Sequence, residues 1–148
     1  MGLDMYITKR VYIGANYDFN KVEIACKITK DGKAIPINKG RVSEIIEQIG
    51  YWRKANAIHN WFVQNVQDGV DDCREYYFDK TSITDLLGVC ETVLADHSKA
   101  EELLPTQAGF FFGSTDCDDY YYQDIKEAIK ILNVCLAEDG DYYYQSSW

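Results

Sequence analysis

From Asp118 to Glu138 the chain reads DDYYYQDIKEAIKILNVCLAE. At 100° per residue Tyr121, Tyr122, Ile125, Ala128, Ile129, Leu132, Cys135 and Leu136 fall on one wide face. A helix with so broad an apolar face, opened by Asp118 or Asp119 as N-cap and ended by Glu138-Asp139-Gly140-Asp141, must be covered by a second layer. The question for the remaining residues is what that layer is.

Much of it reads as strand. Met5 to Ile13 and Lys21 to Thr29 alternate apolar and polar residues with β-branched enrichment, and Lys30-Asp31-Gly32-Lys33 is a hairpin signal leading into AIPIN. Pro36 cannot donate to a ladder, which predicts a short or edge third strand. EYYF ahead of Asp79 reads as a short strand, and the tail YYYQSSW alternates as a terminal one. Between these lie helical patterns. Val42, Ile45, Ile46 and Ile49 recur at i, i+3, i+4, i+7, with Gly50 ending or kinking that helix. Through residues 51–66, Tyr51, Ala55, Ile58, Phe62 and Val66 gather on one side with Trp52 and His59 beside them. Ser82 to Asp85 resembles a capping box opening a helix through Leu94. Phe110 to Phe112, with turn residues on both sides, form either a buried strand or an aromatic loop. The expectation is a single α+β domain over residues 1–148, an antiparallel sheet packed against about three helices.

The net charge is −9, unevenly placed: residues 1–54 hold ten Lys/Arg against six Asp/Glu, and residues 55–148 hold five against eighteen. An acidic balance disfavours general nucleic-acid binding, because displacing counterions from a phosphate backbone needs cationic surface. It allows a basic partner, or a basic pocket in an acidic body. No apolar run approaches the roughly 18 residues that cross a bilayer, and no signal-peptide pattern opens the chain, so no membrane partner is expected. Met1-Gly2 begins a myristoylation pattern that fails at Tyr6. The expected location is the cytosol.

Cys26, Cys73, Cys90, Cys117 and Cys135 are odd in number and without C-x-x-C spacing, which predicts reduced thiols and neither a disulfide framework nor a metal site. Phosphate-cradling loops, nucleophile elbows and H-E-x-x-H are absent, so no cofactor and no catalytic residue are assigned. His97, near a helix end, reads as a surface residue. Asp116, Asp118 and Asp119 lack the terminal Glu of an EF-hand and read as helix caps. Gly109 and Gly113 bring backbone N–H groups toward a helix start, where the same acidic cap opposes an anion.

GYWRKANAIHNWFVQNV, residues 50–66, is the densest chemistry in the chain. Arg53, Asn60 and Gln64 fall opposite its apolar stripe, while Lys54 and Trp61 flank it and Trp61 has no core slot on the wheel. The candidate ligand-binding residues are Arg53, Lys54, Asn56, His59, Asn60 and Trp61.

The blocks MGLDMY, YWRKANAIHNWFV, LPTQAGFFFGS and YYYQSSW resemble those of a family of small proteins of bacteriophages and prophages. The resemblance implies a phage accessory protein acting in the bacterial host cytosol, with counter-defence one role of such genes; no catalytic residue is carried over from it. Three functions are expected to compete. One is a non-enzymatic binding protein for a planar anionic ligand such as a nucleotide. Another is an acidic interaction module that inhibits a basic host protein, such as a defence nuclease. The third is a small nucleotide-processing enzyme with His59 as base.

Overall fold

The computed structural model describes residues 2–14 and 27–148. In chain order the elements are β1 (Asp4–Tyr12), β2 (Thr29–Lys30), β3 (Lys33–Ala34), β4 (Glu44–Arg53), α1 (Asn56–Asn65), β5 (Tyr76–Phe78), α2 (Lys80–Ala95), the single turn α3 (Ala100–Leu103), α4 (Asp119–Ala137) and β6 (Asp141–Ser147). Short 3-10 turns lie at Lys39–Arg41 and His97–Lys99. The fold is α+β. Strands β4, β1, β6 and β5 form one antiparallel sheet in that order, while β2 and β3 pair in a small sheet of their own.

Period-2 alternation decides the two faces of the main sheet. Met5, Ile7 and Lys9, then Tyr142, Tyr144 and Ser146, then Phe78, Gly50 and Trp52 point to one side and are buried there. Helices α1, α2 and α4 cover that side with Ile58, Phe62, Ile83, Leu86, Ile125 and Leu132. Phe62 stacks flat on Tyr144 at 3.9 Å, so the C-terminal strand sits inside the core. Gly50 lets α4 close on β4: a Cβ there would lie 2.7 Å from Ile131 Cγ2. At the opposite end Lys9 pairs with Glu47 at 2.8 Å and with Glu138, tying β1 to β4 and to the end of α4.

The expected helices over 82–94 and 119–137 are present as α2 and α4. Asp118 caps α4, accepting from Tyr121 N at 3.1 Å. Helix α2 begins earlier than the capping-box reading, because Asp79 takes the N-cap role and accepts from Ser82 N at 2.9 Å. The strands at the N-terminus, at 76–78 and at the tail are also present. The expected strand from Lys21 lies largely outside the described residues, as does Cys26, and the one expected over AIPIN is confined to Lys33–Ala34.

The stretch 42–53 departs from expectation. From Glu44 to Arg53 it is β4, not a helix, although its isoleucines recur at helical spacing. That spacing reports no core face: Ile45 is 39% exposed and Ile46 54%. Branching at Cβ favours the extended chain, and pairing with β1 along nearly its whole length supplies the hydrogen bonds. Tyr51 and Trp52 therefore point to opposite sides of the sheet, the first exposed and the second buried. Helix α1 starts only at Asn56. Residues 110–112 are loop, with Phe110 exposed, Phe111 half-buried and Phe112 in the core.

Candidate functional site

A cleft of about 330 Å³ opens between the end of β4, the first turn of α1, the loop 105–118 and the first turns of α4. Its floor depends on Lys54, which joins β4 to α1 in a left-handed conformation at φ 63°. A non-glycine residue pays for that conformation with Cβ–carbonyl crowding, roughly 1–2 kcal/mol. Lys54 N donates to Leu3 O at 2.7 Å and its carbonyl accepts from Asn56 N at 2.8 Å, which holds the corner. Gly113, at φ 88°, packs beside it, where a Cβ would lie 3.2 Å from that of Lys54.

Asn56 fastens the loop. Its Nδ2 donates to Phe112 O at 3.0 Å and Ser114 O at 2.8 Å, and its Oδ1 accepts from Gln107 N at 3.0 Å. Its amide is thus committed to the loop and shapes the cleft wall.

The two ends of the cleft differ in charge. At one end no side chain caps α1, whose first turn contains no acidic residue. The amides of Ala57 and Ile58 find no partner among the described residues, and Arg53 and Lys54 stand beside them. Unpaired N–H groups, the positive end of a helix dipole and two cations make this end electropositive. Arg53 is 3.9 Å from Asp4, and Lys54 has no ion pair among the described residues. Asp116, Asp118 and Asp124 lie at the other end. Asp118 is occupied as the α4 cap, whereas Asp124 is half-buried and has neither a hydrogen bond nor an ion pair among the described residues. Burial first, then the Asp118 charge, pushes the Asp124 carboxyl up to about 6. Tyr120 stands 81% exposed at the rim, and Tyr121 is buried with its hydroxyl donating to Leu104 O at 2.8 Å.

Arg53, Lys54 and Asn56 therefore meet at one cleft, while His59, Asn60 and Trp61 lie outside its lining. Trp61 does have a core slot: it is 9% exposed and edge-on to Phe62 at 5.5 Å. Helix α1 is buried on nearly every side, so a single-stripe wheel assigns it too little core. His59 is fully buried, with Nδ1 2.7 Å from the Tyr144 hydroxyl and Nε2 3.0 Å from Asp71 Oδ1. An ionised carboxylate only accepts, so Nε2 carries the proton and Nδ1 accepts from Tyr144. Burial lowers the His59 pKa, with Asp71 opposing. The Asp71 carboxylate also accepts from Trp148 Nε1 at 3.2 Å, closing a network that fixes the C-terminal strand and stands apart from the cleft.

His97 is exposed and stacks on Tyr122 at 3.9 Å. Cys73, Cys90, Cys117 and Cys135 are unpaired, and burial raises the pKa of Cys90, Cys117 and Cys135. Among the described residues no group of three or more His, Cys, Asp or Glu is arranged to hold a metal. None of the described helices is long and apolar enough to cross a membrane. Comparison with protein-family models, curated proteins and solved structures finds no match to this chain.

Proposed function

We propose that this chain is a non-enzymatic binding protein whose cleft captures a small, planar, phosphate-bearing ligand such as a nucleotide. The observation that carries this reading is the uncapped first turn of α1, opening into a cleft beside Arg53 and Lys54. An anion seated there takes the Ala57 and Ile58 amides and two cations at once, and the exposed Tyr120 ring offers a planar surface at the rim. The cleft volume lies at the small end of the range for small-molecule sites. Together with the resemblance to phage and prophage proteins, this supports a counter-defence role in the host cytosol, in which the protein withholds a nucleotide from a host pathway.

The experiment is to purify the protein without added ligand, denature it, and examine the supernatant for nucleobase absorbance with identification by mass spectrometry. A stoichiometric nucleotide, lost from Arg53→Ala protein, supports the reading. A clean supernatant together with no binding of added nucleotides rejects it.

A further inference from the structure

The polar wall of the cleft divides into groups whose hydrogen bonds are already made and groups whose bonds are not. Asn56 is committed to the loop, Thr106 Oγ1 donates to Thr115 O at 2.8 Å, and Ser114 Oγ accepts from Asp116 N at 3.1 Å. The Tyr121 hydroxyl is held by Leu104 O. The three carboxylates of the cleft then differ in what they lack. Asp118 has its donor as the α4 cap and Asp116 is exposed, whereas Asp124 is half-buried with no donor among the described residues. Such a carboxylate is costly, because oxygens that have given up water have gained nothing in its place. Burial holds its pKa at about 6, yet at neutral pH the group is ionised, an acceptor with no hydrogen to give.

Position on α4 decides what meets that acceptor. Tyr120 and Asp124 are four residues apart on one face of the helix, and both line the cleft beside the buried Ile125. The Tyr120 ring is 81% exposed and offers a surface for a flat ligand. A heterocycle lying on it turns an edge toward the Asp124 carboxylate, one helical turn away. Arg53 and Lys54 hold the opposite end, so charge sorts phosphate from base along one cleft.

Resting on the nucleotide reading of the cleft, we propose that it selects guanine, with Asp124 accepting the N1 and N2 hydrogens of the Watson–Crick edge. Guanine presents two adjacent N–H donors there, spaced for the two oxygens of one carboxylate. Adenine and cytosine present one donor beside a ring-nitrogen acceptor, and uracil one donor between two carbonyls. Against an ionised carboxylate each of those acceptors sets a lone pair facing a negative charge.

The test is calorimetric titration of the full chain at neutral pH with guanosine, inosine and adenosine monophosphates. Inosine lacks only the N2 amine. The expected order is guanosine first, inosine about tenfold weaker and adenosine about 100-fold weaker than guanosine. Asp124→Asn exchanges one acceptor for a donor, the pattern that fits adenine. It should weaken the guanine nucleotide about 10- to 100-fold and tighten the adenine one, with a melting curve to confirm that the variant is folded. Equal affinity for guanine and adenine nucleotides overturns the assignment, and so does a guanine preference that Asp124→Asn leaves intact. If guanosine monophosphate still outbinds guanosine in either case, the nucleotide reading stands and only the choice of base falls. No binding of any of the three nucleotides below about 1 mM removes both.

Discussion

Replacing Lys54 by glycine should raise stability and lower ligand affinity together. At φ 63° the lysine bears a left-handed strain of roughly 1–2 kcal/mol that glycine does not. Glycine gives back about 0.5–1 kcal/mol through the greater entropy of its unfolded chain. The stem of Lys54 also packs on Gly113, with Cβ and Cδ within 3.4 Å of where a Gly113 Cβ would stand, so some contact is lost. The net gain is about 0.5 kcal/mol, or 1–2 °C in melting temperature for a chain of this size. The bond from the residue 54 amide to Leu3 O survives, since it is backbone. Affinity behaves differently: losing one charge-assisted contact to a phosphate costs about 1.5–3 kcal/mol, roughly 10- to 150-fold. Thermal denaturation and calorimetric titration with a nucleoside monophosphate measure the two sides. A melting temperature lowered by several degrees with affinity unchanged would show that Lys54 holds the corner through its stem and does not meet a ligand.

Other perturbations separate the parts of the site. Asn56→Ala removes three hydrogen bonds and leaves Phe112 O, Ser114 O and Gln107 N without their partner; urea denaturation should show a loss of about 2–3 kcal/mol, accompanied by loss of the cleft. Asp124 has a folded pKa of about 6 against 3.8, so the folded state holds its proton longer and stability falls as pH rises from about 4 to 6. Asp124→Asn should therefore stabilise the protein at pH 7.5, by about 1–2 kcal/mol after solvent screening, and leave it unchanged at pH 4; equal effects at both would contradict this. His59 has a folded pKa below 6.5, so the unfolded chain protonates first and stability is lost as pH falls below about 6.5. A pH-dependent melting series in which His59→Gln shows the same slope as the parent would exclude His59 as its source.

The parts of the fold that were legible are those where one residue pattern has one outcome. The face of α4 and the capping aspartate at 118 could be read because a wide apolar stripe and an N-cap reinforce each other. The alternation of β1 and β6 could be read because one face of each strand is buried and the other is not. β4 misleads because its isoleucines satisfy a helix period while the residues that matter, Gly50 and Trp52, are the ones facing the core. Trp61 misleads because α1 is buried nearly all round. Local chemistry singles out Arg53, Lys54 and Asn56, which line one cleft, yet Asn56 acts on the loop through partners more than fifty residues away, which no spacing rule reports. Asp124 was missed, although a carboxylate at i+3 from Tyr121 and next to Ile125, on the apolar face of a helix, is a signal for a half-buried charge.

The central claim is that the α1 first turn, Arg53 and Lys54 form an anion-binding end of a nucleotide cleft. Calorimetric titration of nucleoside monophosphates and the matching nucleosides into wild-type and Arg53→Ala protein tests it most directly. The account predicts one site per chain that prefers the phosphorylated ligand, and a loss of about 2 kcal/mol on Arg53→Ala at unchanged melting temperature. Equal affinity for nucleoside and nucleotide, or an Arg53→Ala protein that binds as the wild type does, would contradict it.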